Sequence, residues 1–190
     1  MIADEAKLVR RLKRRDEAAF SQLVERHQRQ VFAIIHRMLG DRAEAEDLAQ
    51  EVFVTVFKSI DRFRGDAKLS TWIYRIATNH ARNRIKYLRR RHHGRTKELE
   101  DTQESSFLDR AGGSYHRPDS QAEGHELEAI VKSALGEIEA GHREVIVLRD
   151  LEQLSYAEIA QILDVAEGTV KSRLFRARAS LHQRIQARYS

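Results

Sequence analysis

Residues 154–181, LSYAEIAQILDVAEGTVKSRLFRARASL, contain the strongest indication of the fold. Ser155 and Glu158 have the spacing of a capping box, in which the serine accepts from the third helical amide and the glutamate reaches back. A short helix over residues 156–163 follows, then a tight turn, and Thr169 begins a longer helix. This order of elements predicts a helix-turn-helix, whose second helix enters the major groove of DNA.

The second helix has an apolar side and a basic side. At 100° per residue the apolar residues fall within about 80° of arc. They are Val170, Leu174, Ala177, Leu181 and Ile185. The opposite side presents Ser172, Phe175 and Arg176, with Lys171 and Arg173 on its flanks. Lys and Arg can contact phosphates or guanine edges, and Phe175 can contact a thymine methyl. A plain amphipathic helical hairpin is the alternative interpretation.

Charge is distributed unevenly along the 190 residues, whose net charge is +5. Residues 1–91 hold 21 basic and 12 acidic side chains, and residues 168–190 hold six basic ones and no acid. Between them, residues 127–167 carry three basic and nine acidic side chains. Two separated basic surfaces favour a polyanion bound at two places, with solvated helix faces as the alternative.

The N-terminal half also contains sequence signals for helices. Asp16 is placed to cap a helix to about Leu39, and Gly40 ends it. Asp41 caps the next helix, over about 43–60. Its predicted core stripe, at four-residue spacing, is Leu48, Val52, Val56 and Ile60. The segment RFRGDAKLS, residues 62–70, has the composition of a loop, after which Ser70 or Thr71 opens a long helix.

The helical pattern dissolves after residue 91. The following residues contain blocks of like charge, the single Gly-Gly pair and the single proline, which together indicate a flexible linker. We therefore predict an all-α protein of two small helical domains. Their boundaries are 1–91 and 127–190, and the linker covers 92–126.

Two blocks resemble one known family, the extracytoplasmic-function (group IV) sigma factors of the sigma-70 family. The helix-turn-helix block resembles the domain that recognises the promoter −35 element. AEAEDLAQEVFVTVFKSIDRFRGDAKLSTWIYRIATNHARN, residues 43–83, resembles the domain that docks on polymerase and recognises the −10 element. One departure is Leu135-Gly136, where the family usually has Leu-Pro before the next helix.

The resemblance implies three sets of site residues. An acidic helix face would dock on the clamp helices of the polymerase β′ subunit, through Glu44, Asp47, Gln50 and Glu51. The −10 element would be bound by Arg64, Asp66, Lys68, Ser70, Arg75, Asn79, Arg82 and Asn83. The −35 element would be bound by Thr169, Lys171, Ser172, Arg173, Phe175 and Arg176. For the acidic face, a solvated surface with local salt bridges is the alternative.

The implied function is transcription initiation, often in a stress response, without enzymatic chemistry. The implied partners are core RNA polymerase (β′ clamp helices and β flap), promoter DNA and an anti-sigma factor. No small-molecule substrate or membrane insertion is expected. Because the chain has no cysteine and no HExxH motif, we expect neither a metal site nor a cofactor. The absence of an apolar leader or span predicts a cytoplasmic location.

Two rival functions remain open at this stage. A helix-turn-helix regulator without polymerase docking would explain residues 127–190 but leaves the acidic face and residues 62–83 without a purpose. A nuclease would need carboxylates clustered around a metal, and the acidic residues here are dispersed.

Overall fold

The structure, a computed structural model, describes residues 3–96, the N-terminal half, and 122–189, the C-terminal half. Within these ranges every regular element is helical, which confirms the all-α fold class. The helices are α1 (Ala3–Lys13), α2 (Glu17–Leu39), α3 (Arg42–Ser59), α4 (Leu69–Thr96), α5 (Ala122–Glu137), α6 (Ala140–Ile146), α7 (Tyr156–Leu163) and α8 (Glu167–Tyr189). A single 3₁₀ turn (Ile60–Arg62) follows α3, and a π-helical turn (Val147–Leu151) follows α6.

The predicted caps of α2 and α3 and the predicted end of α2 are confirmed. The Asp16 carboxylate accepts from the amide of Ala19 at 3.0 Å, and the Asp41 carboxylate accepts from that of Glu44 at 3.0 Å. Between them, Gly40 ends α2 at a φ of 82°, in the left-handed region that glycine adopts without a Cβ clash. The predicted stripe on α3 is fully buried against α2 and α4.

Two features of the N-terminal half differ from the expectation. Helix α1, which the sequence patterns did not single out, packs Leu8, Val9 and Leu12 into the core. Helix α4 begins at Leu69, before Ser70, so that Lys68 occupies the capping position and its carbonyl accepts from Trp72. Neither helix carries a capping residue of its own that could have marked its start.

The helices extend into the predicted linker from both sides. Helix α4 continues to Thr96, beyond the expected boundary at 91, and α5 begins at Ala122. The rest of the predicted linker, 97–121, lies outside the described residues. Gly136, at the position where the family usually has proline, lies inside α5, which ends at the next residue.

The C-terminal half contains the predicted capping box, turn and long helix. The Ser155 hydroxyl accepts from the amide of Glu158 at 3.2 Å, and the Glu158 carboxylate accepts from that of Ser155 at 3.0 Å. Asp164 ends α7 in the left-handed region, with a φ of 58°. Helix α8 starts at Glu167, two residues before the predicted start at Thr169, and buries Val170 and Leu174 on its apolar side.

The two halves share a continuous apolar core. Helix α4 packs against α7 and α6, and α2 packs against α6 and the turn after it. Arg143 on α6 ties the halves together, since its guanidinium donates to the carbonyl of Met38 at the end of α2 at 2.8 Å. The same side chain donates to the carbonyl of Gly136 at the end of α5. Burial lowers the pKa of Arg143 to about 10.

Candidate nucleic-acid interfaces

The outer face of α8 is open to solvent. Phe175 is 78% exposed, and Ser172 and Arg176 beside it are also exposed. The Ser172 hydroxyl donates to the carbonyl of Thr169 at 3.0 Å, a bond within the same helix. An exposed aromatic ring flanked by a hydroxyl and a guanidinium can contact base edges in the major groove without any rearrangement of α8.

Other arginines of α8 hold the C-terminal half together. Arg178 donates to the Asp150 carboxylate at 3.0 Å. Arg188 donates to the carbonyl of Ile130 at 3.0 Å and to the Ser133 hydroxyl at 2.7 Å, and it also pairs with Glu137. The arginines of α8 therefore differ in environment. Arg176 faces solvent, whereas Arg178 and Arg188 bind other residues of the C-terminal half.

The residues predicted to bind the −10 element lie in the loop before α4 and on its first half. Arg64, Asp66 and Lys68 are exposed in the loop, and Asn79 and Asn83 are exposed one turn apart on α4. The loop needs a residue with positive φ at Gly65, where φ is 83°. Of the remaining members, Ser70 and Arg82 are half-buried and Arg75 is exposed.

The aromatic residues of α4 have structural positions. Tyr74 is buried in the core, and desolvation there raises its pKa to about 12. Trp72 is half-buried and packs against Phe63, with ring centroids 5.4 Å apart. Both rings therefore stabilise the loop and the helix start from behind.

Three cations of this −10 surface are paired with carboxylates of the C-terminal half. The pairs are Lys68 with Glu158 (2.8 Å), Arg75 with Asp164 (3.1 Å) and Arg82 with Glu144 (2.6 Å). The three carboxylates belong to α7, the residue after it, and α6. We call this packing of the two halves the closed arrangement. In it, carboxylates neutralise three of the cations that the sequence predicts to bind the −10 element.

Two of these pairs differ in how the protein shifts the pKa of the carboxylate. Hydrogen bonds from Lys68 and from the backbone and hydroxyl of Ser155 lower the pKa of Glu158 to about 2. Glu144 is only 3% exposed, and burial raises its pKa although the Arg82 guanidinium acts in the opposite direction. Arg82 also donates to the side-chain oxygen of Asn79 at 3.3 Å, so one arginine connects the buried acid with a proposed base-reading residue.

The acidic face of α3 divides into two parts. Asp47 and Gln50 are exposed, whereas Glu44 and Glu51 both pair with Arg84 of α4. The distance from Arg84 to Glu51 is 2.9 Å. Local salt bridges therefore engage two of the four predicted docking residues, a pairing that no pattern within α3 indicates.

The apolar neighbour of the acidic face is Val54, which is 50% exposed one turn beyond Gln50. Sequence reasoning missed this residue. The signal in the sequence was a valine on the polar face of α3, outside the regular stripe of buried apolar residues. Single exposed apolar side chains are common on protein surfaces, so its exposure alone assigns no role to Val54.

The described residues contain neither a candidate metal site nor a candidate membrane span. In 3–96 and 122–189 there is no group of three or more His, Asp or Glu side chains placed to hold a metal ion. The helices in the same ranges include none long and apolar enough to cross a membrane.

Comparison with known proteins identifies two family domains in this chain. Residues 23–91 match the family described as Sigma-70 region 2, and residues 129–181 match Sigma-70, region 4. The RNA polymerase sigma-H factor of Pseudomonas aeruginosa is 36% identical over 179 residues, which cover 94% of this chain and 92% of the relative. The ECF RNA polymerase sigma-E factor of Haemophilus influenzae is 37% identical over 189 residues, which cover 97% of this chain and 96% of the relative.

Solved structures resemble the whole chain as well. CnrH, in complex with the cytosolic domain of CnrY, superposes with a TM-score of 0.66 at 28% identity and covers 96% of this chain and 97% of its own. The sigma factor RpoE of Bartonella quintana, in complex with the anti-sigma factor NepR, gives a TM-score of 0.60 at 24% identity. That match covers 88% of this chain and 96% of RpoE, and it supports the fold.

Proposed function

Since this chain belongs to the extracytoplasmic-function group of the sigma-70 family, we propose that it binds core RNA polymerase and directs it to promoters with −35 and −10 elements. It then assists melting of the −10 region. The observation that supports the proposal is the presence of two separate surfaces with basic side chains, one in each matched domain. On α8, Phe175 and its neighbours are exposed, and on α4 the cations already bind carboxylates.

The −35 element is read by the outer face of α8. Arg176 and Lys171 contact guanine edges or phosphates, Ser172 donates to a base or phosphate, and Phe175 contacts a thymine methyl. Thr169 and Arg173, at the start and on the flank of the helix, fix its position on the backbone. This face is available in the closed arrangement.

The −10 element is read by the loop 63–68 and the first half of α4. Asn79 and Asn83 contact the edges of unstacked bases, while Asp66 and Ser70 line the loop that receives one of them. Arg64, Lys68, Arg75 and Arg82 contact phosphates. Because three of these cations are paired across the closed arrangement, the halves separate before the −10 element binds. Phosphates then replace the carboxylates.

Core polymerase binds on α3. Exposed Asp47 and Gln50 contact the basic clamp helices of β′, with Glu44 and Glu51 at the edge of the same face. The C-terminal half contacts the β flap. The chain itself contributes binding and base recognition, and the polymerase performs the covalent chemistry.

An anti-sigma factor holds the protein inactive until a stress signal. The sigma factor RpoE of Bartonella quintana was solved in complex with the anti-sigma factor NepR, and CnrH was solved in complex with the cytosolic domain of CnrY. The sigma factor acts in the cytoplasm, at the nucleoid or sequestered at the inner membrane by its anti-sigma factor.

The decisive experiment is run-off transcription with purified core polymerase. The wild-type chain should restore promoter-specific initiation, which a helix-turn-helix regulator without polymerase docking would not do. Asp47→Lys should weaken core binding by about 2 kcal/mol or more while circular dichroism stays unchanged. Glu46→Lys is the matched control, because Glu46 lies on the same helix but pairs locally with Arg42. Unchanged core affinity of Asp47→Lys would refute the docking face.

The −10 residues have their own test. Asn79→Ala and Asn83→Ala should spare binding to a −35 duplex and impair opening, each by about 1–3 kcal/mol per lost base contact. Permanganate reactivity of −10 thymines measures opening directly. Normal melting by both variants would place base recognition elsewhere.

A further inference from the structure

Helix α1 lies outside the region 2 match, which begins at residue 23, yet it contacts the segment that precedes α4. Its apolar side packs against α2 and the 3₁₀ turn. Its polar side chains contact the connection between α3 and α4 at several points. This connection contains three of the residues proposed to bind the −10 element, so its position matters for promoter recognition.

The start of α4 has no capping side chain of its own. The first amides of a helix lack internal acceptors, and a Ser, Thr, Asp or Asn at the capping position usually accepts from one of them. Here that position holds Lys68, whose ammonium can only donate and bonds to Glu158 instead. The missing acceptor comes from α1, because the Glu5 carboxylate accepts from the amide of Leu69 at 2.6 Å.

Three further hydrogen bonds hold this connection and the end of α3 that leads into it. The Lys13 ammonium donates to the carbonyl of Phe63 at 2.9 Å, at the first residue of the loop. Arg15, just after α1, donates to the carbonyl of Phe57 and to the Asp61 carboxylate. The loop is therefore held at its beginning by Lys13 and at its end by Glu5.

Glu5 also lines the groove beside the loop. This groove, of about 340 Å³, is bounded by Gly65, Asp66 and Lys68 on one side and by Ala157 of α7 on the other. A carboxylate repels phosphate, so direct binding of the DNA backbone is not its role. Its observed contact is with the backbone amide that begins α4.

We propose that Glu5 is a positioning residue for −10 recognition, a role that rests on the proposed function. From α1 it caps α4 and sets the orientation of the loop 63–68 against the first turns of that helix. Asn79 and the loop residues then meet an unstacked base in one fixed geometry. Loss of the cap lets the loop and the helix start move relative to each other, and base capture becomes slower and less selective.

The test compares Glu5→Ala and Glu5→Gln with Asp4→Ala, the exposed acidic neighbour on the same helix. The wild-type holoenzyme is the reference. Opening is measured with a fluorescent base at the −10 position, on the preferred sequence and on single-base variants of it. Core affinity, −35 duplex affinity and thermal midpoint are measured on the same proteins.

Glu5→Ala should lower opening on the preferred sequence about tenfold and reduce its advantage over variant −10 sequences, with core and −35 affinities unchanged. Glu5→Gln keeps a side-chain oxygen acceptor and should stay within about twofold of wild type, as should Asp4→Ala.

The possible failures are distinguishable. If the wild-type holoenzyme does not open promoters, the proposed function itself fails. If it does and Glu5→Ala opens equally well, the positioning role is wrong. If Glu5→Ala lowers core affinity, −35 affinity and thermal midpoint together with opening, then Glu5 stabilises only the fold, and the proposal is overturned as well.

Discussion

The outer face of α8 and the −10 face of α4 both carry basic side chains, but they differ in what covers them. On α8, Phe175 and Arg176 face solvent. On α4, Arg82 is joined to Glu144, an acid of the other half that is almost fully buried. Three acidic residues of the C-terminal half, Glu144, Glu158 and Asp164, thus lie against the surface predicted to bind the −10 element, whereas within the described residues the outer face of α8 has no such cover.

This difference implies an order of events. Under the function proposed above, the −35 surface is available in the closed arrangement, and the −10 surface becomes available only after the halves separate. Any partner that pulls the halves apart therefore makes −10 recognition possible. The following experiments test this difference between the two surfaces. Because the chain contains no cysteine, two cysteines introduced at exposed Gln28 and Gln183 can carry a fluorophore pair.

The largest effect is expected from Arg82→Ala. It leaves the Glu144 carboxylate buried without its partner, and breaking buried pairs costs about 3–5 kcal/mol. Because Arg82 is partly exposed, we expect about 2–3 kcal/mol against the closed arrangement. Energy transfer between the two fluorophores measures separation of the halves.

The matched control is Arg82→Ala combined with Glu144→Gln, which removes the unpaired charge and should restore most of the closure. If Arg82→Ala keeps the wild-type transfer efficiency, apolar packing alone closes the molecule.

The open surface is tested by Arg176→Ala. It should cost about 1–3 kcal/mol on the preferred −35 duplex and relax discrimination at one base pair. Arg178→Ala is the control on the same helix, because that arginine is bound to Asp150 and should affect all sequences slightly and equally. Fluorescence anisotropy with a panel of single-base duplexes separates the two. Uniform weakening by Arg176→Ala would reduce its role to a phosphate contact.

A smaller, pH-dependent effect is expected at Glu158. Its pKa in the folded chain is about 2, below the ordinary value of 4.5, so the charged pair with Lys68 stabilises the closed arrangement above about pH 4.5. That contribution is lost as the pH falls from 4.5 toward 2. Since the Lys68 side chain is largely exposed, solvent screens the pair and its contribution is small.

Glu158→Gln retains the capping box and should remove this part of the pH dependence of energy transfer. Identical pH profiles for the variant and the wild type would show that the pair does not contribute.

The smallest effect is expected from Asp164→Asn. The Arg75–Asp164 pair is exposed on both sides, and such pairs contribute about 0.2–1 kcal/mol. Asparagine tolerates the left-handed φ of this position, so the turn after α7 is preserved. Energy transfer should change barely measurably. A large opening by this variant would mean that exposed pairs, and not the buried one, hold the halves together.

Local signals in the sequence predicted most of the helices. The caps at Asp16 and Asp41 and the capping box at Ser155 all join residues three positions apart, so a short window contains the whole interaction. The exposed side of α8 followed from periodicity, and Phe175 lies where that periodicity predicts.

Interactions between distant residues could not be predicted in this way. Glu5 and Leu69 are 64 positions apart, and Arg82 and Glu144 are 62 apart, so no spacing rule connects them. The start of α4 was wrongly placed at Ser70 or Thr71, because its cap comes from another helix. For the same reason the α8 face could be described from the sequence, while the covering of the −10 face could not.

The covalent connection between α4 and α5 has a quantitative consequence. The 25 residues numbered 97–121 join Thr96 to Ala122 and, even fully extended, span at most about 90 Å. A separated C-terminal half therefore stays within a volume in which its effective concentration is on the order of 1 mM. Contacts with a dissociation constant below about 1 mM therefore suffice to re-form the closed arrangement. DNA or polymerase must compete with a tethered ligand that dilution of the protein cannot remove.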